Sequence, residues 1–141
     1  MSGIRMISDY FGDWTKGTLG RGRFALLYAG IVVVGLAIVL VAFGGMEVGS
    51  REAAAKINAM GPAKSGLLML LVVAMQIAAL NIIAKRGRDI GMPGLVTLLI
   101  FIALSFGAVA FLGAVGALLA LAFVVALLLL PTGMLAKKAD A

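Results

Sequence analysis

The chain has 141 residues, of which 63% are hydrophobic and 13% are charged, whereas charged residues make up about 25% of a typical soluble domain. With a mean hydropathy of +1.17, this composition excludes a soluble globular protein and indicates a small integral membrane protein. The lack of cysteine and histidine excludes disulfides, thiol nucleophiles and histidine metal sites, while the net charge of +6 favours contact with anionic lipid or an acidic partner.

Residues 1–23 are predicted to form an interfacial segment on the cytoplasmic side. The apolar residues Ile4, Ile7, Phe11 and Trp14 recur at spacings of three, four and three, which is typical of one face of an amphipathic helix. Glycines then end the helix and leave a loop, GTLGRGR, immediately before the first long apolar run. The amphipathic rings of Tyr10 and Trp14 favour the level of the lipid headgroups.

Four transmembrane helices are predicted within residues 24–134, at about 24–43, 66–84, 94–108 and 113–130, with a tail at 135–141. A helix crosses the ~30 Å hydrocarbon core with ~20 apolar residues. The stretch 90–136 has no charged side chain and would measure ~70 Å as one helix, so it must fold back. The glycine-rich stretch 107–116 is the predicted reversal, either as a hairpin turn or as a re-entrant break.

The connector between the first two spans is predicted to contain a short surface helix. Ser50 is its expected N-cap, and Gly61 with Pro62 is its expected stop. The second span contains two amides, Gln76 and Asn81, which need hydrogen-bonding partners inside the membrane.

A polar island, KRGRDIGMPGL at residues 85–95, lies between two long apolar runs and is predicted to lie at a membrane surface between the second and third spans. Asp89 is its only carboxylate, and we expect a structural ion pair between Asp89 and a nearby arginine. The cations predicted to contact anionic lipid or a partner are Arg21, Arg23, Lys85, Arg86 and Arg88. The alternative is that these cations only set topology.

The distribution of lysine and arginine predicts the orientation of the chain. In a four-span arrangement, nine of the 12 cations lie on one side, in the N-terminal segment, the island and the tail. The other three, Arg51, Lys56 and Lys64, lie on the opposite side. Because positively charged short loops resist translocation, both termini are predicted to be cytoplasmic.

The island resembles the signature of a bacterial inner-membrane family catalogued as domain of unknown function 805. Seven residues match it position by position: Lys85, Arg86, Arg88, Asp89, Ile90, Gly91 and Gly94. Within the island, Gly87 and Leu95 depart from the signature, which has an apolar residue and a tryptophan at these positions. Gly20, Arg21 and Phe24 resemble the motif that the family carries ahead of its first span. The resemblance implies four spans in the bacterial inner membrane and implies no activity.

The residue types also limit the function. No catalytic, cofactor or metal residue is predicted, because histidine, cysteine and paired carboxylates are missing from the sequence. No ionisable residue falls within a predicted span, which disfavours a transport pathway. The function expected is that of a non-enzymatic accessory or structural subunit that packs against a larger membrane assembly and anionic lipid. The alternative is a transporter or channel component acting as a homo-oligomer; no nucleic-acid partner is predicted.

The four-span prediction can be tested with topology reporters. A reporter fused at Ala141 should be cytoplasmic, and one inserted near Ala54 should lie on the opposite side, because the cation count favours that orientation. An external C-terminus would contradict the four-span arrangement.

Overall fold

The computed structural model of the protein describes residues 2–44 and 50–136, and every regular element within them is helical. The elements in chain order are α1 (Ser2–Phe11), α2 (Arg21–Phe43), α3 (Arg51–Ala59), α4 (Pro62–Ile90), α5 (Gly94–Ile102), a π-helical segment (Ala103–Ala108), α6 (Val109–Leu112) and α7 (Ala114–Leu129). The prediction of an all-α fold is therefore confirmed.

Within the described residues, three helices are long and apolar enough to cross a membrane: α2, α4 and the continuous helix Gly94–Leu112, which joins α5, the π-helical segment and α6. Their 23, 29 and 19 residues correspond to ~35, ~44 and ~29 Å at ~1.5 Å per residue, against a hydrocarbon core of ~30 Å. Helix α7 is also uncharged but has only 16 residues, or ~24 Å. The chain is thus a membrane protein with three helices of spanning length and a shorter apolar fourth.

The second predicted span ends at residue 84, but α4 continues to Ile90 and includes the charged part of the island. Pro62 lies in the first turn of α4, where its missing N–H costs no helical hydrogen bond. The sequence predicted that Pro62 would stop the preceding helix. In the structure Pro62 begins α4. Helix α4 ends where Gly91 adopts a left-handed conformation with φ of 104°.

The chain reverses at Gly113, which lies within the stretch 107–116 where the sequence predicts the reversal. Gly113 has φ of 54° and ψ of −123°, which a residue with a side chain rarely adopts, and α7 begins at the next residue. Gly107 lies within the π-helical segment, so the third helix passes its predicted end at residue 108. Because α7 packs back on the π-helical segment, the two form a helical hairpin.

Helix α1 is shorter than the predicted apolar stripe and ends at Phe11. Trp14 lies beyond it, where the indole Nε1 donates to the Phe11 carbonyl at 3.1 Å. The helix cannot continue because Asp13 has a positive φ of 49°. Ile7, Phe11 and Trp14 are exposed, and the side chain of Ile4 lies outside the described residues.

Helix α2 begins three residues before the predicted span, so Arg21 and Arg23 lie in its first turn and not in a loop. It ends at Gly44, whose φ of 63° is left-handed. The N-cap prediction for α3 is confirmed, because the Ser50 hydroxyl accepts a hydrogen bond from the Ala53 N–H at 3.1 Å.

The apolar core lies at one end of the helical bundle. Its buried residues are Leu19, Phe24, Leu27, Ile82, Ile83, Ile90, Val124 and Leu127. They come from the start of α2 and the ends of α4 and α7, and α5 also starts there; we call this the island end. Away from the island end the helices are open, and only 11% of the most apolar part of α2 is buried.

The close approach of α4 and α5 at the island end depends on Gly87. A Cβ atom added at Gly87 would lie 2.6 Å from the Cβ of Thr97, closer than such atoms approach in proteins. Thr97 cannot move away easily, because it is fully buried and its hydroxyl donates to the Pro93 carbonyl at 3.2 Å.

The substitution Gly87→Ala should therefore destabilise the protein by ~1–3 kcal/mol, the usual effect of overpacking a filled site. The matched control is Gly22→Ala in α2, because a Cβ at this helical glycine meets no atom within 4 Å. Thermal unfolding in mild detergent measures both. Equal melting temperatures for the two variants would contradict the close approach of α4 and α5.

Candidate functional site

The C-terminal end of α1 is held by two side chains from α4. Asn81 Nδ2 donates to the Tyr10 carbonyl at 2.9 Å. Lys85 Nζ donates to the carbonyls of Ser8 at 3.0 Å and Asp9 at 2.8 Å. The last four carbonyls of a helix have no partner within the helix and carry partial negative charge, so an amide and an ammonium stabilise them. Both side chains are buried, so α1 docks on α4 through enclosed polar contacts.

The guanidinium of Arg86 joins three separate segments. Its Nε donates to the Leu127 carbonyl at 2.8 Å, and Nη2 donates to the Leu130 carbonyl; both acceptors lie at the C-terminal end of α7. Nη1 donates to the Leu19 carbonyl at 3.3 Å, just ahead of α2, and to the carboxylate of Asp89. Arg86 is fully buried, and all three of its nitrogens donate to groups of the chain itself.

Asp89 completes this arrangement and ties in the segment 131–136 that follows α7. Its carboxylate pairs with Arg86 and accepts a hydrogen bond from the Thr132 hydroxyl at 2.8 Å. Its backbone carbonyl accepts from the Gly133 N–H at 2.7 Å. The segment after α7 therefore caps the C-terminal end of α4, while Arg86 caps the end of α7.

Arg88 holds the loop between α1 and α2. Its Nε donates to the Gly17 carbonyl at 2.8 Å, and Nη2 donates to the Asp13 carbonyl at 3.3 Å. Gly94 leaves room for this side chain, because a Cβ there would collide with the guanidinium of Arg88. Each of the three island cations thus binds a different part of the chain.

The predicted contact surface for anionic lipid or a partner must therefore be revised. Lys85 and Arg86 are 2% and 0% exposed and face the interior, because they satisfy carbonyls that would otherwise be buried without a donor. Arg21 and Arg23 are exposed in the first turn of α2, and Arg23 forms an ion pair with Asp9. Of the five cations predicted to contact lipid or a partner, Arg21 and Arg23 are therefore exposed and Arg88 is partly exposed.

The two intramembrane amides have different surroundings. Asn81 is buried and caps α1, and its Oδ1 has no hydrogen-bond partner among the described residues. Gln76 is exposed in the middle of α4, on the wall of an apolar cavity of about 710 Å³ between α2 and α4.

Sequence reasoning identified the donors of this site but not their acceptors. Most acceptors are backbone carbonyls, which every residue has, so no residue type marks them. Tyr10, which the sequence offers only as an amphipathic ring, donates its hydroxyl to the Leu27 carbonyl at 2.9 Å. Burial, together with the nearby charge of Asp9, raises the pKa of Tyr10 above its ordinary value.

The arrangement is suited to holding helix ends together. Its donors end on carbonyls or carboxylates of the same chain, which leaves Lys85 and Arg86 with no free face for a substrate. Among residues 2–44 and 50–136, no group of three or more acidic side chains is placed to hold a metal ion.

The substitution Arg86→Lys should destabilise the protein by ~2–4 kcal/mol, because an ammonium cannot reproduce the planar fork and leaves buried carbonyls at the end of α7 without donors. Asp89→Asn should also lower the melting temperature in detergent. Arg23→Lys is the matched control, since its ion pair with Asp9 is exposed and weakened by solvent. An Arg86→Lys protein that melts like the wild type would contradict this account of Arg86.

A family model described as "Protein of unknown function (DUF805)" matches residues 14–137, which include α2 to α7 and the whole island. Neither the curated protein sequences nor the solved structures provide a match. The chain therefore belongs to the DUF805 family of proteins of unknown function.

Proposed function

We propose that the protein is a non-enzymatic, multi-pass protein of the bacterial inner membrane. In this proposal it packs against a larger membrane assembly as an accessory or structural subunit and contacts anionic lipid through Arg21 and Arg23. The observation that carries the proposal is the contrast between its polar and apolar groups. The island cations bind the chain itself, while the long helices expose large apolar side chains along their length. Such a surface fits lipid tails or a partner helix and offers little to a polar substrate.

We further propose four spans with both termini in the cytoplasm. The start of α2 lies beside the ends of α4 and α7, because Arg86 of α4 contacts Leu19 and Leu127 together. Helix α5 begins at Gly94, just after α4 ends at Ile90. Helix α7 would then cross the bilayer antiparallel to Gly94–Leu112, and a ~24 Å helix is accommodated by local thinning of the membrane. The excess of lysine and arginine at the island end favours the cytoplasmic side for that end.

The ion pairs of two carboxylates, Asp9 and Asp89, support a non-enzymatic role. Asp89 is paired with Arg86 and Asp9 with Arg23, so neither is free to act as a general base. A histidine or cysteine that could replace them is missing from the sequence. These two ion pairs therefore support a structural role for the island end.

The contact with anionic lipid rests on the exposed cations and their neighbours. Arg21 and Arg23 project from the start of α2, and the exposed rings of Phe11 and Trp14 belong to the adjoining N-terminal segment. Basic side chains beside an aromatic residue are typical of the headgroup region, where lysine and arginine bind lipid phosphates.

Native mass spectrometry tests the lipid contact. The double variant Arg21→Gln with Arg23→Gln should retain less anionic lipid than the wild type after purification in mild detergent. The control is Arg51→Gln with Lys64→Gln, which removes the same charge from exposed positions of α3 and α4 away from the island end. Equal retention in the two double variants would contradict the proposed site.

Identification of membrane proteins that co-purify with the wild type in the same detergent tests the accessory role. A stoichiometric partner that is lost in a stronger detergent supports it. A chain that purifies without any partner protein from its native membrane contradicts it.

A further inference from the structure

Gln76 is a polar side chain in an apolar position. It is the central residue of α4, with fourteen helical residues on either side, so it lies near the midplane of any membrane that α4 crosses. Its side chain is exposed, and its amide makes no hydrogen bond within the part of the chain that the structure describes. An amide without a partner in hydrocarbon is strongly unfavourable, because no water is present to replace the missing hydrogen bonds.

The surface around Gln76 is a groove between α2 and α4, with a volume of about 710 Å³. Gly35 and Val39 form part of its α2 wall, while Met69 and Val72 lie beside Gln76 on the α4 wall. The groove lies away from the island end. Only 11% of the most apolar part of α2 is buried. A volume of this size can hold several side chains of another helix.

One stripe among the many exposed residues of α4 has the spacing of a helix–helix contact. Gly66, Met69, Val73 and Gln76 are separated by three, four and three residues, and all are exposed. This is the heptad spacing of left-handed helix pairs, in which residues three and four positions apart face the partner helix. Gly66 has open space where a Cβ would point, so a partner backbone can approach closely there.

We infer that this groove is the contact surface for a second copy of the chain, with α4 packed against α4 of the copy and the two Gln76 amides hydrogen-bonded to each other. Two copies inserted in the same direction are related by a two-fold axis along the membrane normal. Residues at equal depth then meet, so each Gln76 faces its own equivalent. A primary amide both donates and accepts, which makes the pair self-complementary.

Other occupants of the groove satisfy Gln76 less well. An acyl chain has neither a donor nor an acceptor, and headgroups and bulk water do not reach the membrane midplane. The inference rests on the part of the proposed function in which α4 crosses the membrane. It is independent of the lipid contact at Arg21 and Arg23, so the two proposals fail separately.

The first test measures dimer dissociation in lipid vesicles by energy transfer between labelled copies. Gln76→Leu removes the amide at nearly constant volume and should weaken the dimer about ten-fold, the equivalent of ~1.4 kcal/mol. Gln76→Asn keeps an amide and should retain more of the association. A monomeric wild type, or equal dissociation constants for the wild type and Gln76→Leu, would overturn the inference.

The second test uses disulfide cross-linking in native membranes, which is clean because the chain has no cysteine. Met69→Cys lies in the groove and should form a cross-linked dimer on oxidation. Leu67→Cys is the matched control, since Leu67 is 61% exposed on the opposite face of α4 and Met69 is 70% exposed. Cross-linking that is equal at the two positions, capture of a different protein at Met69→Cys, or a monomer that retains lipid in the groove would refute the dimer.

Discussion

The buried guanidinium of Arg86 is the constraint on which the arrangement of the helices depends. A fully buried arginine is stable only when its donors are satisfied, and here they end on the carbonyls of Leu19, Leu127 and Leu130 and on the carboxylate of Asp89. These acceptors belong to the segment before α2, the end of α7 and the end of α4. The hydrogen bonds of one side chain therefore hold three helix ends together. The apolar cluster that includes Leu127 packs at the same end of the bundle.

The same logic explains why the island carries several cations in succession. Neighbouring residues on a helix point in different directions, so Lys85, Arg86 and Arg88 reach α1, α7 and the loop after α1. Each one meets carbonyls at a helix end or in a loop, where backbone acceptors have no helical partner and the partial charge is negative. Gly87 lies between them because a side chain there would collide with Thr97, which accounts for the glycine at a position where the family signature has an apolar residue.

The two ends of the helical bundle consequently differ in how tightly they are packed. The island end is packed and polar inside, whereas the far halves of α2 and α4 separate into an open apolar groove that contains Gln76. An end rich in buried hydrogen bonds keeps the helices in a fixed order. A loosely packed end leaves apolar surface that lipid or another helix must cover. The proposed functions follow this division, with anionic lipid at the island end and a second copy of the chain at the other.

The sequence by itself determined the class of the protein. Long uncharged runs indicated membrane helices, Ser50 marked the start of α3, and the island residues Lys85 to Gly94 indicated the family, because composition, caps and motifs act locally along the chain. Only the tertiary structure decided that Lys85 and Arg86 face the interior, that the reversal falls at Gly113, and that α4 runs through the island. The acceptors of the buried cations are backbone carbonyls as many as 77 residues away, and a carbonyl leaves no trace in the residue type. Their pairing is therefore settled only when the helices pack.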